Sequence, residues 1–210
     1  MLQKSRTSIC STAEKSNKKK KSEHFEVQQG DVLHGGRSRY TILQLVGSGS
    51  YGKVAWSVDL NTKKEVAVKV FEAEKTRAAR RELKMLGALS ALDPAKANVV
   101  QFFESFTHRG LACLAFEMLD KSVHQLMCDR RWKPLSLAEI RLIAEQLLTA
   151  LNALKSIGVI HGDLKSDNVM LVNHESEPFK VKLIDFGLSS GRNLKVQQVK
   201  PALFIMASRG

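Results

Sequence analysis

Asp163, Lys165, Asn168 and Asp185 are the residues of this chain best suited to chemistry on phosphate, and they stand in a fixed order. They lie in the run His161-Gly162-Asp163-Leu164-Lys165-Ser166-Asp167-Asn168 and in the later triplet Asp185-Phe186-Gly187. Phosphoryl transfer needs a carboxylate to orient the attacking hydroxyl, a cation near the transferred group and oxygen ligands for magnesium. Upstream, Gly47-Ser48-Gly49-Ser50-Tyr51-Gly52-Lys53-Val54 reads G-x-G-x-x-G-x-V. Such a turn brings backbone N–H groups to phosphate oxygens with no β-carbon in the way. A strand pattern follows it, which argues against a dinucleotide site, where the phosphates sit at a helix amino-terminus. Val66-Ala67-Val68-Lys69 places a lysine on a strand, and Glu82 has a register that aims it toward the same sheet. A carboxylate there would hold the ammonium toward phosphate oxygens. Taken singly, Lys69 also fits a solvated strand end and Glu82 an ordinary intrahelical pair. The complete set in this order is not a coincidence of composition.

Positioning these residues requires a particular succession of elements. YTILQLV from Tyr40, KVAWSVDL and EVAVKVF are β-branched runs bounded by turn residues, Asn61 and Thr62 among them, and predict three consecutive antiparallel strands. Residues 74–90 suit a helix with Leu83, Leu86 and Leu89 along one side. Two further strands are expected at 99–106 and 111–118. After Asp120 the chain turns helical in character. Ser136 followed by Glu139 is a capping-box pattern opening a helix to Ile157, whose apolar residues occupy most of its circumference and predict burial on several sides. Short β-like runs follow at 159–160, 169–172 and 180–184. The fold class is α+β: a β-rich lobe with one helix, then the start of a helical lobe.

The net charge of +12 belongs to the ends of the chain. Residues 1–21 carry seven Lys/Arg and one acid, residues 186–210 carry four bases and no acid, and residues 22–185 hold 22 bases against 20 acids. A duplex binder shows its basic face on the folded domain, so direct nucleic-acid binding is not expected. Residues 1–24 are rich in Ser, Thr and Lys and are expected to be a disordered basic tail, with Lys18, Lys19, Lys20 and Lys21 a candidate nuclear import run. No apolar run reaches eighteen residues and no secretory h-region is present, so no membrane association is expected. Cys10, Cys113 and Cys128 fit neither a disulfide framework nor a zinc site, which points to a reducing compartment, nuclear or cytoplasmic.

With these motifs in hand, the chain resembles the eukaryotic protein kinases. More narrowly it is similar to the homeodomain-interacting and dual-specificity tyrosine-regulated kinases, through Phe116-Glu117-Met118-Leu119, HGDLKSDNVMLV and VKLIDFG. The resemblance covers about residues 27–190. It implies a protein-kinase-like fold, a partial kinase domain over residues 25–191 divided into an amino-terminal lobe with hinge (25–119) and the beginning of a carboxy-terminal lobe (120–191), and a divergent tail (192–210). It implies ATP and Mg2+ as cofactors and protein substrates, with transcription-regulatory proteins as partners. Gly47, Ser48, Gly49, Gly52, Val54 and Ala67 would enclose the nucleotide, with Phe116 as gatekeeper and Glu117 to Leu119 against the adenine. Lys69 would meet the α/β-phosphates, paired with Glu82. Asp163 would be the catalytic base, Lys165 would touch the γ-phosphate, and Asn168 and Asp185 would hold metal. Leu86, His161 and Phe186 fit three positions of a regulatory hydrophobic stack.

The pattern departs in places. Gly162 stands where most protein kinases carry an arginine and where the narrower group also has a small residue, and Ser166-Asp167 replaces the Pro-Glu usual there. The sequence after Gly191 lacks Ala-Pro-Glu, and no tyrosine follows Tyr51. These departures leave two expectations: a kinase acting on Ser/Thr hydroxyls, with dual specificity extending to Tyr left open, or a truncated, impaired module that holds nucleotide or a partner without transferring phosphate.

Overall fold

The computed structural model describes residues 26–49 and 51–191. The basic tail 1–24, with Cys10 and Lys18–Lys21, and the tail 192–210 lie outside the described residues, as does Ser50. The first six strands are β1 (Val32–His34), β2 (Arg39–Gly49), β3 (Gly52–Asp59), β4 (Glu65–Phe71), β5 (Phe102–His108) and β6 (Leu111–Glu117). They form one antiparallel sheet in the order β1-β2-β3-β4-β6-β5. The three expected strands are β2 to β4, and their two-residue side-chain period divides the lobe. Val66, Val68 and Val70 of β4 pack with Ile42, Ala55, Cys113 and Ala115 in a core on one face. Leu114 and Phe116 of β6 point to the opposite core, shared with the helix that follows β4. Ala67 and Lys69 alternate with the three valines and therefore leave the first core.

That helix, α1 (Thr76–Leu89), begins after a 3-10 turn at Ala73–Lys75. Its inward stripe is Ala78, Ala79, Glu82, Leu86 and Leu89, which corrects the expected leucine line. Leu83 is 36% exposed. At 3.6 residues per turn, 82, 86 and 89 share a face more closely than 83, 86 and 89, and the charged residue takes the inward place because a cation awaits it there.

The hinge after β6 leads into α2 (Val123–Asp129) and α3 (Leu137–Ser156). The seven-residue α2 is an element the sequence reading passed over, although Ser122 caps it by accepting from the Gln125 N–H at 3.1 Å. At α3 the capping box is present in full: Ser136 Oγ accepts from Glu139 N, and Glu139 Oε2 accepts from Ser136 N at 2.6 Å. Burial of α3 on several sides is not what the structure shows. Ile143, Ala150 and Leu154 are buried, whereas Leu137, Leu142 and Leu148 are 74%, 49% and 66% exposed. β9 and β7 pack against one face of α3, and the three exposed leucines lie outside it.

The remaining strands are short: β7 (Val159–Ile160), β8 (Val169–Asn173), β9 (Glu177–Leu183) and β10 (Ser190–Gly191). β8 and β9 make an antiparallel hairpin, and β10 pairs with β7. The segment before β5 joins the two lobes, since Val100 N donates to Leu183 O and Leu183 N donates to Asn98 O. No helix among the described residues is long and apolar enough to cross a membrane.

Candidate active site

Lys69 lies mid-strand in β4, between Val54 of β3 and Leu114 of β6. Its ammonium meets both oxygens of Glu82, at 2.8 and 3.0 Å, and Asp185 Oδ1 at 3.0 Å. The Glu82 side chain is 2% exposed, which makes Lys69 its necessary partner, because a buried carboxylate without one is strongly disfavoured. Burial alone would lower the Lys69 pKa; the two carboxylates outweigh it, so the ammonium is held above its ordinary range. Burial pushes the Glu82 carboxyl up, with Lys69 opposing. For Asp185 the balance runs the other way, since Lys69 overcomes burial and holds the carboxyl low.

Asp185 adopts a left-handed backbone at φ 62°, a conformation that costs energy outside glycine and collects at functional sites. Its Oδ1 takes Lys69 and the Gly187 N–H, and among the described residues Oδ2 has no protein donor.

The segment between β7 and β8 is organised around Asp163. Asp163 Oδ2 accepts from Lys165 Nζ at 2.8 Å and from Asn168 Nδ2 at 2.9 Å, and Asn168 Nδ2 also donates to the Asp163 carbonyl at 2.8 Å. A 3-10 turn at Ser166–Asn168 brings the amide back to the carboxylate. His161 is buried beneath this loop. Its Nε2 donates to Ile184 O at 2.8 Å while Nδ1 accepts from Asp163 N at 3.3 Å, an arrangement that requires the neutral ring. Burial lowers its pKa accordingly. The ring meets Phe186 edge-on at 5.1 Å, and Leu86 shares the same core, so the three residues expected to stack lie in one cluster.

Gly162 has φ +80°, and a β-carbon there would come within 2.6 Å of the Leu188 carbonyl oxygen. Ser189 Oγ donates to His161 O at 2.8 Å and fastens the stretch after Phe186 over this point. An arginine at position 162 is therefore excluded by backbone conformation and by space together.

Between the lobes lies a cleft of about 500 Å³. Of the expected nucleotide-binding residues, Gly52, Val54, Ala67, Lys69, Phe116, Glu117 and Leu119 line it, as do Glu82, Asp163, Lys165 and Asp185. Gly47, Ser48 and Gly49 do not line it; they belong to the β2–β3 hairpin, paired with Val54, Lys53 and Gly52. Asn168 also stands off the lining and reaches the site through Asp163. Gly52 cannot carry a side chain, because a β-carbon would strike the Val70 carbonyl and lie 2.9 Å from Phe71 Cα. Val46, Tyr51, Val100, Met170, Ile184 and Leu188 also line the cleft and were not picked out from sequence. Val46 and Met170 were within reach, one just before the glycine run and the other two residues past Asn168; Leu188 carried no signal.

The carboxylate of Glu117 has an occupation of its own. Lys182 Nζ donates to its two oxygens at 2.6 and 2.7 Å, and Gln101 N donates to Oε1 at 2.7 Å. The hinge is thus tied to β9, three residues before Asp185.

Among the described residues Asn168 Oδ1, Asp185 Oδ2 and Asp163 Oδ1 accept no hydrogen bond, and the first two belong to the expected metal ligands. Two oxygen ligands supplemented by phosphates suit a hard divalent cation, so the donor set fits Mg2+. Among the described residues no group of three or more His, Cys, Asp and Glu side chains could hold a metal by itself.

Residues 40–203 match the protein kinase domain family. This chain belongs to the protein kinase family. The matched range runs past Gly191 into residues the structure does not describe. The kinase is 36% identical over 168 residues to homeodomain-interacting protein kinase 1 of Mus musculus, covering 79% of this chain and 14% of that protein. It is 38% identical over 161 residues to homeodomain-interacting protein kinase 1 of Caenorhabditis elegans, covering 76% and 19%. To homeodomain-interacting protein kinase 4 of Homo sapiens it is 38% identical over 153 residues, covering 72% and 25%. The chain therefore spans a quarter or less of the length of these relatives. A crystal structure of a kinase domain superposes with a TM-score of 0.74 at 25% identity, over 81% of this chain and 56% of that one.

Proposed function

We propose that this kinase binds ATP with Mg2+ in the cleft between its lobes and transfers the γ-phosphoryl group to serine or threonine hydroxyls of proteins. The observation that carries this reading is the Lys69 ammonium, set between Glu82 and Asp185 at 2.8 and 3.0 Å and facing the same cleft as Asp163. The acting unit is residues 25–191.

Each residue then has a task. Val54, Ala67, Phe116 and Leu119 supply apolar walls for the adenine, with the hinge main chain at Glu117 beside it. The hairpin Gly47-Ser48-Gly49, closing at Gly52, covers the phosphates, and Lys69 binds them while Glu82 fixes its direction. Asp163 orients the substrate hydroxyl and receives its proton as the oxygen attacks the γ-phosphorus and the bond to the β-phosphate oxygen breaks, releasing ADP. Lys165, beside Asp163, offsets charge on the moving phosphoryl group. Asn168 and Asp185 would hold Mg2+, which supplies charge neutralisation on the phosphates when bound.

A second reading, nucleotide binding without transfer, is favoured by one observation. Leu137, Leu142 and Leu148 leave α3 with an uncovered apolar face among the described residues, and an unsupported helical lobe would present substrate poorly. ATP titration with and without Mg2+, followed by transfer of labelled γ-phosphate to a basic protein, separates the two. Mg2+-dependent binding with transfer that Asp163→Asn abolishes supports the kinase, binding without transfer the second reading, and no binding refutes both.

The relatives' names record interaction with homeodomain proteins. We carry this to the present chain as a proposal of transcription-regulatory partners and of nuclear residence, supported by Lys18–Lys21. Alanine replacement of that run should move a tagged chain toward the cytoplasm.

A further inference from the structure

α1 has two faces of opposite character. Opposite its inward stripe, Arg77, Arg80, Arg81 and Lys84 are all exposed. Their spacing of i, i+3, i+4 and i+7 gathers them within an arc of about 100° and a length of about 10 Å. None of the four makes a hydrogen bond or ion pair among the described residues. Glu82 is the sole acidic residue of the helix, and it is buried against Lys69.

For an isolated lobe this arrangement is unfavourable. Like charges at i,i+3 and i,i+4 repel, and cations in the first turns oppose the helix dipole. The helix has no acid in its first turn and no side-chain cap that would offset either effect. An anionic ligand across the stripe removes the repulsion.

The sequence itself holds no suitable occupant. Residues 186–210 contain neither Asp nor Glu, and residues 1–25 contain only Glu14 and Glu23. A nucleic-acid backbone would extend beyond so short a stripe and meet the exposed carboxylates of Glu72 and Glu74, which precede α1. A peptide needs to cover only the stripe. It can also use Leu83, 36% exposed and beside Arg80 on the helix surface, which phosphates cannot.

We infer that the outer face of α1, formed by Arg77, Arg80, Arg81 and Lys84, is a docking surface for an acidic segment of a partner protein. The surface is separate from the nucleotide cleft, so it stands or falls independently of phosphoryl transfer.

The test is fluorescence anisotropy of a labelled twelve-residue peptide rich in Asp and Glu, with one central leucine, titrated with the full chain at low and physiological salt. Affinity should fall as salt rises. Arg77→Gln/Arg81→Gln/Lys84→Gln, which keeps helix propensity nearly constant, should weaken binding about tenfold. A control of equal charge change on other exposed cations, Lys64→Gln/Lys133→Gln/Arg141→Gln, should change it less than about twofold. Should the triple variant lose wild-type circular dichroism, the single substitutions Arg77→Gln and Lys84→Gln carry the test, each weakening binding about twofold. Unchanged affinity in the α1 variants, equal weakening in the control, or tighter binding of a short DNA duplex than of the peptide would each overturn the proposal.

Discussion

Replacing Glu82 by glutamine keeps the shape of a side chain that is 2% exposed and removes its charge. Breaking a buried ion pair by deleting one partner ordinarily costs about 3–5 kcal/mol. Three features of this site reduce that figure. Lys69 keeps Asp185 at 3.0 Å, its own side chain is 16% exposed, and a glutamine oxygen still accepts one of the two hydrogen bonds. Glutamine also avoids the burial of charge that pushes the Glu82 carboxyl up. The expected loss is about 1–2 kcal/mol, which for a chain of this size lowers Tm by roughly 2–8 °C. Nucleotide binding should suffer more. With Glu82 neutral, the ammonium settles onto Asp185, so Kd for an ATP analogue should rise about tenfold or more, a loss of at least about 1.4 kcal/mol. Differential scanning fluorimetry and calorimetric titration measure the two effects on one preparation. A variant that melts more than about 15 °C below wild type would mean that Glu82 is a structural keystone, and unchanged nucleotide affinity would refute its role in directing Lys69.

Acid stability follows from the directions of the two carboxyl shifts. The Asp185 pKa is depressed in the folded state, so its contribution is full above the unfolded value near 4 and is lost as pH falls through the folded one, whereas Glu82, with a raised pKa, acts in the opposite sense at higher pH, above its own unfolded value. Asp185→Asn should flatten the acid loss of stability between about pH 2 and 5 in thermal melts, and an unchanged slope would contradict the assignment. Glu117→Ala should cost about 3 kcal/mol by stranding Lys182, and the swap Glu117→Lys with Lys182→Glu should recover at least half of this in urea unfolding; no recovery would mean the pair does not tie the hinge to β9. Gly162→Ala should destabilise by about 2 kcal/mol or more, from the backbone at φ +80° and the clash with Leu188 O, and a variant as stable as wild type would refute the close approach.

Much of the scaffold is legible from local patterns. The valines of β4 alternate because a strand must bury one face, and the same alternation places Lys69 opposite the core of Val66, Val68 and Val70. Ser136 and Glu139 announced α3 because a helix amino-terminus leaves N–H groups that only such side chains satisfy. Seven-residue α2 and three-residue β1 escaped notice because elements so short carry barely one period of hydrophobic pattern.

Asp163, Lys165, Asn168 and Asp185 are legible as a candidate set in the chain, since phosphate chemistry restricts which residue types could serve and the loops that hold them are short. Which partner each side chain takes depended on surfaces far apart in sequence. Glu82 proved to be an inward residue, and not half of an intrahelical pair, because β4 brings Lys69 to it and Asp185 arrives from 116 residues beyond Lys69. The Glu117 carboxylate is engaged at the edge of the cleft because Lys182, 65 residues on, packs beneath the hinge. The requirement for glycine at 162 came from the Leu188 carbonyl, carried there by the pairing of β10 with β7. A local pattern encodes conformation and burial through nearest neighbours; contacts closed across the whole fold are settled when the lobes pack.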